Sequence, residues 1–400
     1  MNFAKRDKAF RGIQVSKKTD VSLILTYIFL WGMQFSGTLF SIFIDALPFT
    51  TTETIANISS VNSVVIMLAQ FTWTKVADRT RNKTNLIAIS LIMIIFTSTA
   101  FYFCELNIVL LYVLVIIYNA AFCAHTPLID TVTAEHTRTA KHPFAFYRAF
   151  GTLGYALIGI VFALIPNMEA KVGFIFMAAF AALSVISSRF IGVRSEISLP
   201  KQKRSYNGVF NKRFILLLVY FFIYSIGTTF MNIYTSIYFT SEEHLGGSVN
   251  TYVAVLTVAT VIEWLVLLLL VRFNRLFSDK LRYLLIPVFC LIKAGLLFLS
   301  PNSTVAIIAM AFQGFQHAFL WSSITPYIAK IVPRENLASA QGICNIAMSG
   351  IAPLIGAFIC GRIVGIIGIR PLFLITVIIM IAVILFTPVL FSKRIACDDI

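Results

Sequence analysis

Runs of about 20 apolar residues recur along this chain, at roughly 21–44, 55–74, 85–104, 107–129, 144–165, 172–191, 214–237, 252–271, 284–299, 305–327, 340–361 and 371–391. A helix needs about that length to cross the hydrocarbon core of a bilayer. The runs therefore predict twelve membrane-spanning helices. The run at 284–299 is short for a span unless its helix begins inside the basic loop before it. Of the 400 residues, 58% are hydrophobic and only 12% are charged, about half the charge of a soluble domain. Twelve spans leave only short loops, too small for a separate catalytic domain of about 100 residues. The chain has no zinc-protease HExxH, no nucleophile-elbow GxSxG and no P-loop, so it reads as a non-enzyme without a cofactor or a metal site.

A formal net charge of +15 raises the question of nucleic acid. The position of the charges answers it. Of the 32 Lys and Arg residues, 27 fall in clusters on the side of the N-terminus. Three, Lys171, Arg362 and Arg370, fall on the other side, and Arg148 and Lys293 lie within spans. Such a bias sets membrane topology, with the basic side in the cytoplasm. The expected partner is a lipid bilayer rather than nucleic acid, and both termini are expected in the cytoplasm. The first 20 residues lack the early apolar segment and cleavage site of a signal peptide. Cys104, Cys123, Cys290, Cys344, Cys360 and Cys397 have no metal-ligand spacing and read as small hydrophobes. The expected organisation is an N-tail 1–20, a six-helix bundle 21–191, a basic linker 192–213, a second six-helix bundle 214–391 and a C-tail 392–400. The loops after spans 2 and 8 echo each other, each basic with one acid, Asp78 and Asp279. Two parallel six-span halves are a known transporter plan.

At Ala77-Asp78-Arg79 the chain begins to resemble the major facilitator superfamily, which carries a glycine-rich Asp-Arg signature between spans 2 and 3. Here Thr74 and Arg81 stand near the places of the signature glycines. The resemblance implies an all-α membrane protein of twelve helices in two pseudo-symmetric six-helix bundles, with Asp78 and Arg79 in a gate. Further motifs are more specific. Thr126-Pro127-Leu128-Ile129-Asp130 closes span 4, and Arg148-Ala149-Phe150-Gly151-Thr152-Leu153-Gly154-Tyr155 opens span 5. They resemble the oligosaccharide:proton symporter branch, of which lactose permease is the best-known member. Asp130 stands in the place of a Glu and Tyr155 in the place of a Trp.

A charge among apolar spans costs several kcal/mol unless paired or hydrated, which marks such residues as functional. The candidates are Asp130, Arg148, Glu263 and Lys293. Arg148, Thr152 and Tyr155 are spaced i, i+4 and i+7 and share one helical face. A guanidinium fork, a hydroxyl and a flat ring on one face suit a sugar. Thr126 lies one turn before Asp130 and is expected to line the same cavity. The resembled branch carries proton coupling on a His and a Glu of span 10; here Gln313 and Gln316 take approximately those places, with His317 next to them. A glutamine cannot carry a proton, so Glu263, Asp130 or His317 must. Glu263 is the first candidate, because its apolar neighbours Val261, Ile262, Trp264 and Leu265 disfavour a fixed charge. Lys293, on the next helix, is a candidate counter-charge. Asn232 and Asn345 read as inter-helix hydrogen bonders.

Together these residues predict a secondary active transporter of the cell membrane, multi-pass and monomeric. The expected activity is proton-coupled import of a small oligosaccharide, glycoside or related polar solute by alternating access. The alternatives are a nucleoside or other polar-solute carrier, a sugar or drug efflux carrier, and a transporter-like receptor or membrane enzyme.

Overall fold

Backbone amides in a bilayer can find partners only within the protein, and an α-helix satisfies them within one segment. The computed structural model describes residues 17–80, 82–137, 142, 144–192, 210–273, 276–300, 302–333 and 337–392. Among these it is all-helical, with twelve helices long and apolar enough to cross a membrane. They are α1 (Lys18–Asp45), α2 (Thr52–Arg79), α3 (Lys83–Phe103), α4 (Ile108–His136), α5 (Phe144–Leu164), α6 (Val172–Arg189), α7 (Lys212–Thr240), α8 (Val249–Arg272), α9 (Asp279–Leu299), α10 (Ser303–Ile331), α11 (Ala340–Ile367) and α12 (Arg370–Leu390). A 3₁₀ turn, Gly37–Leu39, interrupts α1, and a π turn, Ala347–Ile351, interrupts α11. The short ninth run extends into the basic loop before it, where Ser278 accepts a hydrogen bond from the Leu281 amide and caps α9. The side chains of Asp78 and Arg79 lie outside the described residues, as do most of the 192–213 segment, the N-tail to residue 16 and Cys397.

The two halves repeat one packing plan. In the first, α1 packs on α5 and α6, α3 on α4 and α6, and α2 on α4. In the second, α7 packs on α11 and α12, α9 on α10 and α12, and α8 on α10. Adding six to each helix number converts the first set into the second. The halves meet through α2 on α11 and α5 on α8, a pair of contacts related by the same exchange. Large apolar side chains such as Phe96, Leu164 and Ile366 face outward, a surface suited to lipid rather than water.

The Gly-x-x-Gly of span 5 has a packing role. A Cβ at Gly154 would fall on the carbonyl oxygen of Ile28, and one at Gly151 would come within 2.7 Å of the Trp31 ring. The pair lets α5 lie directly on α1. Gly154→Ala is expected to push the helices apart at a cost of about 1–3 kcal/mol. The check is the melting temperature of the detergent-solubilised protein; an unchanged value would contradict this packing.

The halves are clasped at the end away from the termini. The Asn250 side chain, at the start of α8, donates to the carbonyl oxygens of Phe162 (3.3 Å) and Ile165 (2.5 Å) at the end of α5. Its oxygen accepts from the Met168 amide at 3.0 Å. Tyr234 of α7 donates to the Thr52 carbonyl at the start of α2 at 2.6 Å. Near the terminal end, Asp20 of α1 accepts from His136 of α4 at 2.7 Å and from Tyr147 of α5, ties that lie within the first half.

Candidate functional site

Between the halves lies a cavity of about 310 Å³. Its wall is drawn from both bundles: Trp31 and Gln34 of α1 and Thr152 and Tyr155 of α5 face Thr260 and Glu263 of α8 and Gln313, His317 and Trp321 of α10. Two tryptophans and a tyrosine supply flat apolar faces. Hydroxyls, amides, a carboxylate and an imidazole supply edges. A few placed polar groups within an aromatic lining is the usual make-up of a small-molecule site.

Asp130 and Arg148 meet. Nη1 of Arg148 donates to both carboxylate oxygens of Asp130, at 2.8 and 2.6 Å. Tyr27 of α1 donates to the same carboxylate at 2.8 Å. The guanidinium carbon lies 4.5 Å from the centroid of the Trp31 ring, a cation–π contact. The pair is not part of the cavity wall and reaches it through Trp31. Because one nitrogen serves both oxygens, the N–H groups on Nε and Nη2 remain for other partners. Thr126 accepts a hydrogen bond from Gln34 at 3.0 Å and stands behind that wall residue. Thr152 and Tyr155 line the cavity, Tyr155 with its ring edge-on to Phe35, centroids 4.8 Å apart.

In the second half the charges sort differently from an acid–lysine pair. Glu263 has His317 as its partner, Nδ1 to Oε2 at 3.6 Å. Lys293 is 1% exposed and donates to Gln313 at 2.7 Å and to Asn232 at 3.4 Å. The lysine is therefore held by neutral amides, and among the described residues no carboxylate pairs with it. Gln316 turns away from the cavity and donates to the Tyr224 hydroxyl at 2.5 Å. At about 100° per residue, Gln316 is rotated by about 60° from Gln313 and about 100° from His317, which lie only about 40° apart. Asn345 is exposed.

Four residues of the site stand outside the sequence-derived set. Tyr27, Trp31 and Gln34 form an i, i+4, i+7 stripe on α1 that meets Asp130, Arg148 and the cavity in turn. The fourth, His125, is fully buried, with its Nε2 3.2 Å from the Gln34 amide nitrogen. The helical spacing of the α1 stripe was a usable signal. Nothing marked that stripe, as opposed to the other aromatic faces of the chain, as the one that meets α4 and α5.

Comparison with known proteins agrees with this architecture. The curated relative YwbF of Bacillus subtilis (strain 168), named an uncharacterized transporter, is 23% identical over 292 residues, 71% of each chain. The crystal structure of a mutant of the nucleoside transporter NupG superposes with a TM-score of 0.78 at 17% identity, covering 94% of this chain and 100% of that one. A bacterial homologue of the lysosomal transporter Spinster, inward-facing and unoccupied, gives 0.69 at 14% identity over 97% and 99%. A peptide transporter POT in complex with alafosfalin gives 0.72 at 10% identity over 95% and 96%. Those three likenesses establish the fold. The MFS_1 like family matches residues 21–375, and the chain belongs to that family as a multi-pass membrane transporter of the major facilitator type.

Proposed function

We propose that this transporter imports a small neutral glycoside, a nucleoside foremost, in symport with protons and by alternating access. The observation that carries the reading is the cavity between the halves, where Trp31, Tyr155 and Trp321 offer flat faces among polar edges. A nucleoside joins a sugar ring to a flat base and uses both kinds of surface. Its class is also the one named for NupG, among the similar structures. The volume of about 310 Å³ lies at the small end of ligand sites, about 300–1,000 Å³, and suits one glycoside better than a longer oligosaccharide. A second reading, a simple sugar or disaccharide, is favoured by the α5 face of Arg148, Thr152 and Tyr155. In either case Glu263, beside His317, carries the coupling proton, and Asp78 and Arg79 act in the gate. The setting is the cell membrane, with cytoplasmic termini and a monomeric carrier.

A thermal-shift panel of the purified protein against nucleosides, monosaccharides, disaccharides and cationic drugs tests this. A ligand that binds only the folded state at about 100 times its Kd adds about 2.7 kcal/mol. The expected result is a rise of several degrees with a nucleoside. A rise with sugars alone moves the assignment to the second reading, a rise with drugs alone points to efflux, and no rise with any compound contradicts both glycoside readings.

A further inference from the structure

Two glutamines line the cavity, Gln34 from the first half and Gln313 from the second. A side-chain amide has one accepting and one donating end, and in both residues neighbouring side chains occupy one end. The amide nitrogen of Gln34 is 3.0 Å from the Thr126 hydroxyl and 3.2 Å from Nε2 of His125. Its two N–H bonds are thereby used, leaving the oxygen for a solute. Gln313 is held the other way round. The ammonium of Lys293 has only donors, so it holds the Gln313 oxygen at 2.7 Å and leaves the NH₂ for a solute.

We propose that Gln34 and Gln313 determine specificity with opposite polarity, an accepting oxygen from the first half and a donating NH₂ from the second. Lys293 and His125 are positioning residues that set those polarities from behind. The proposal rests on the reading of the cavity as the site for a glycoside, and it narrows that class. The favoured solute is neutral and carries an N–H or O–H donor on the edge toward α1 and an acceptor on the edge toward α10. A nucleoside with a lactam base meets that requirement through its ring N–H and carbonyl groups.

The assignment has an internal signature at His125. If Nε2 accepts from Gln34, a neutral ring must carry its proton on Nδ1. Nδ1 is buried and has no hydrogen-bond partner. The fold therefore tolerates an orphaned ring atom, at a cost of the kind that such groups carry, in a residue whose other nitrogen fixes a cavity side chain. The edge of the ring meets Phe122, centroids 5.0 Å apart, which holds the imidazole in place.

Two measurements test the proposal. The first needs no ligand: ¹⁵N spectra of histidine-labelled protein, with the signals of His125 identified by their loss in His125→Gln. The expected ring carries its proton on Nδ1 with Nε2 bare. The reverse tautomer would turn the Gln34 amide round and overturn the proposal, whatever the protein transports. The second uses calorimetric binding of uridine and 3-methyluridine, which lacks the ring N–H. Wild type is expected to prefer uridine by about tenfold or more, the cost of leaving a buried acceptor unpaired. Gln34→Leu brings that ratio to about one. Gln313→Leu and Lys293→Met weaken both compounds alike and keep the ratio, and the double variant is no weaker than either single one, because Lys293 acts through Gln313. Equal binding of the two compounds by wild type, or additive losses in the double variant, would overturn it. If wild type binds no glycoside at all, the glycoside reading fails while the histidine spectrum still decides the polarity.

Discussion

Arg148→Lys is expected to lose solute binding almost as completely as Arg148→Ala, by about ten- to a hundredfold. A lysine keeps the charge and can still face Asp130, so a simple counter-charge role would leave it active. The geometry asks for more than charge. Nη1 alone bridges both oxygens of Asp130, the flat guanidinium lies on Trp31, and Nε and Nη2 are left to donate to other partners. An ammonium is a point charge without the planar fork and does not stack in this way. Loss of charge-assisted donors, about 1.5–3 kcal/mol, corresponds by itself to an effect of that size, at about 1.4 kcal/mol per tenfold. Arg148→Ala also leaves Asp130 with Tyr27 as its remaining described partner. Binding of the ligand found in the thermal-shift panel, measured on both variants, checks this. Full binding by the lysine variant would reduce Arg148 to a counter-charge.

The second large effect is at Glu263. Glu263→Gln keeps the size of the side chain and removes its ability to take up and release a proton. The variant is expected to lose uphill accumulation of substrate while keeping exchange of labelled for unlabelled substrate across the membrane. Exchange needs only the loaded carrier to change conformation, whereas accumulation needs the proton to leave on the far side. The position of Glu263 in the cavity wall, 3.6 Å from His317 and without Lys293 as a partner, supports this assignment. Uphill uptake retained by the variant would move the proton to His317 or Asp130, or remove protons from the cycle.

Much of the fold was legible because a bilayer imposes a length and a composition on each span. The ends were less so. The eleventh helix continues past Arg362 to Ile367, because the Arg362 guanidinium lies on the Phe358 ring, exposed, with its stem along apolar surface. A charge placed so does not end a helix. On α4 and α5 the motif spacing indicated that Asp130 and Arg148 meet and that Thr152 and Tyr155 share a face, but not that the charged pair stands outside the cavity wall. The α1 stripe could not be read, since Tyr27 and Trp31 differ from lipid-facing aromatics only by the helices they meet. Nor does spacing show whether a lysine on α9 reaches a carboxylate on α8 or an amide on α10. That depends on how closely α10 lies on α8, where a Cβ at Gly314 would come within 2.9 Å of the Glu263 amide nitrogen.

The central claim is that one cavity carries a neutral solute and a proton together, and solute-driven proton movement tests it most directly. Proteoliposomes containing wild type or Glu263→Gln, with no imposed pH gradient and a pH dye outside, receive the solute that raises the melting temperature. Co-transport predicts that the outside becomes alkaline as solute enters with wild type, and that the Glu263→Gln variant gives exchange without any proton signal. Solute entry into wild-type vesicles with no change in external pH would contradict the account.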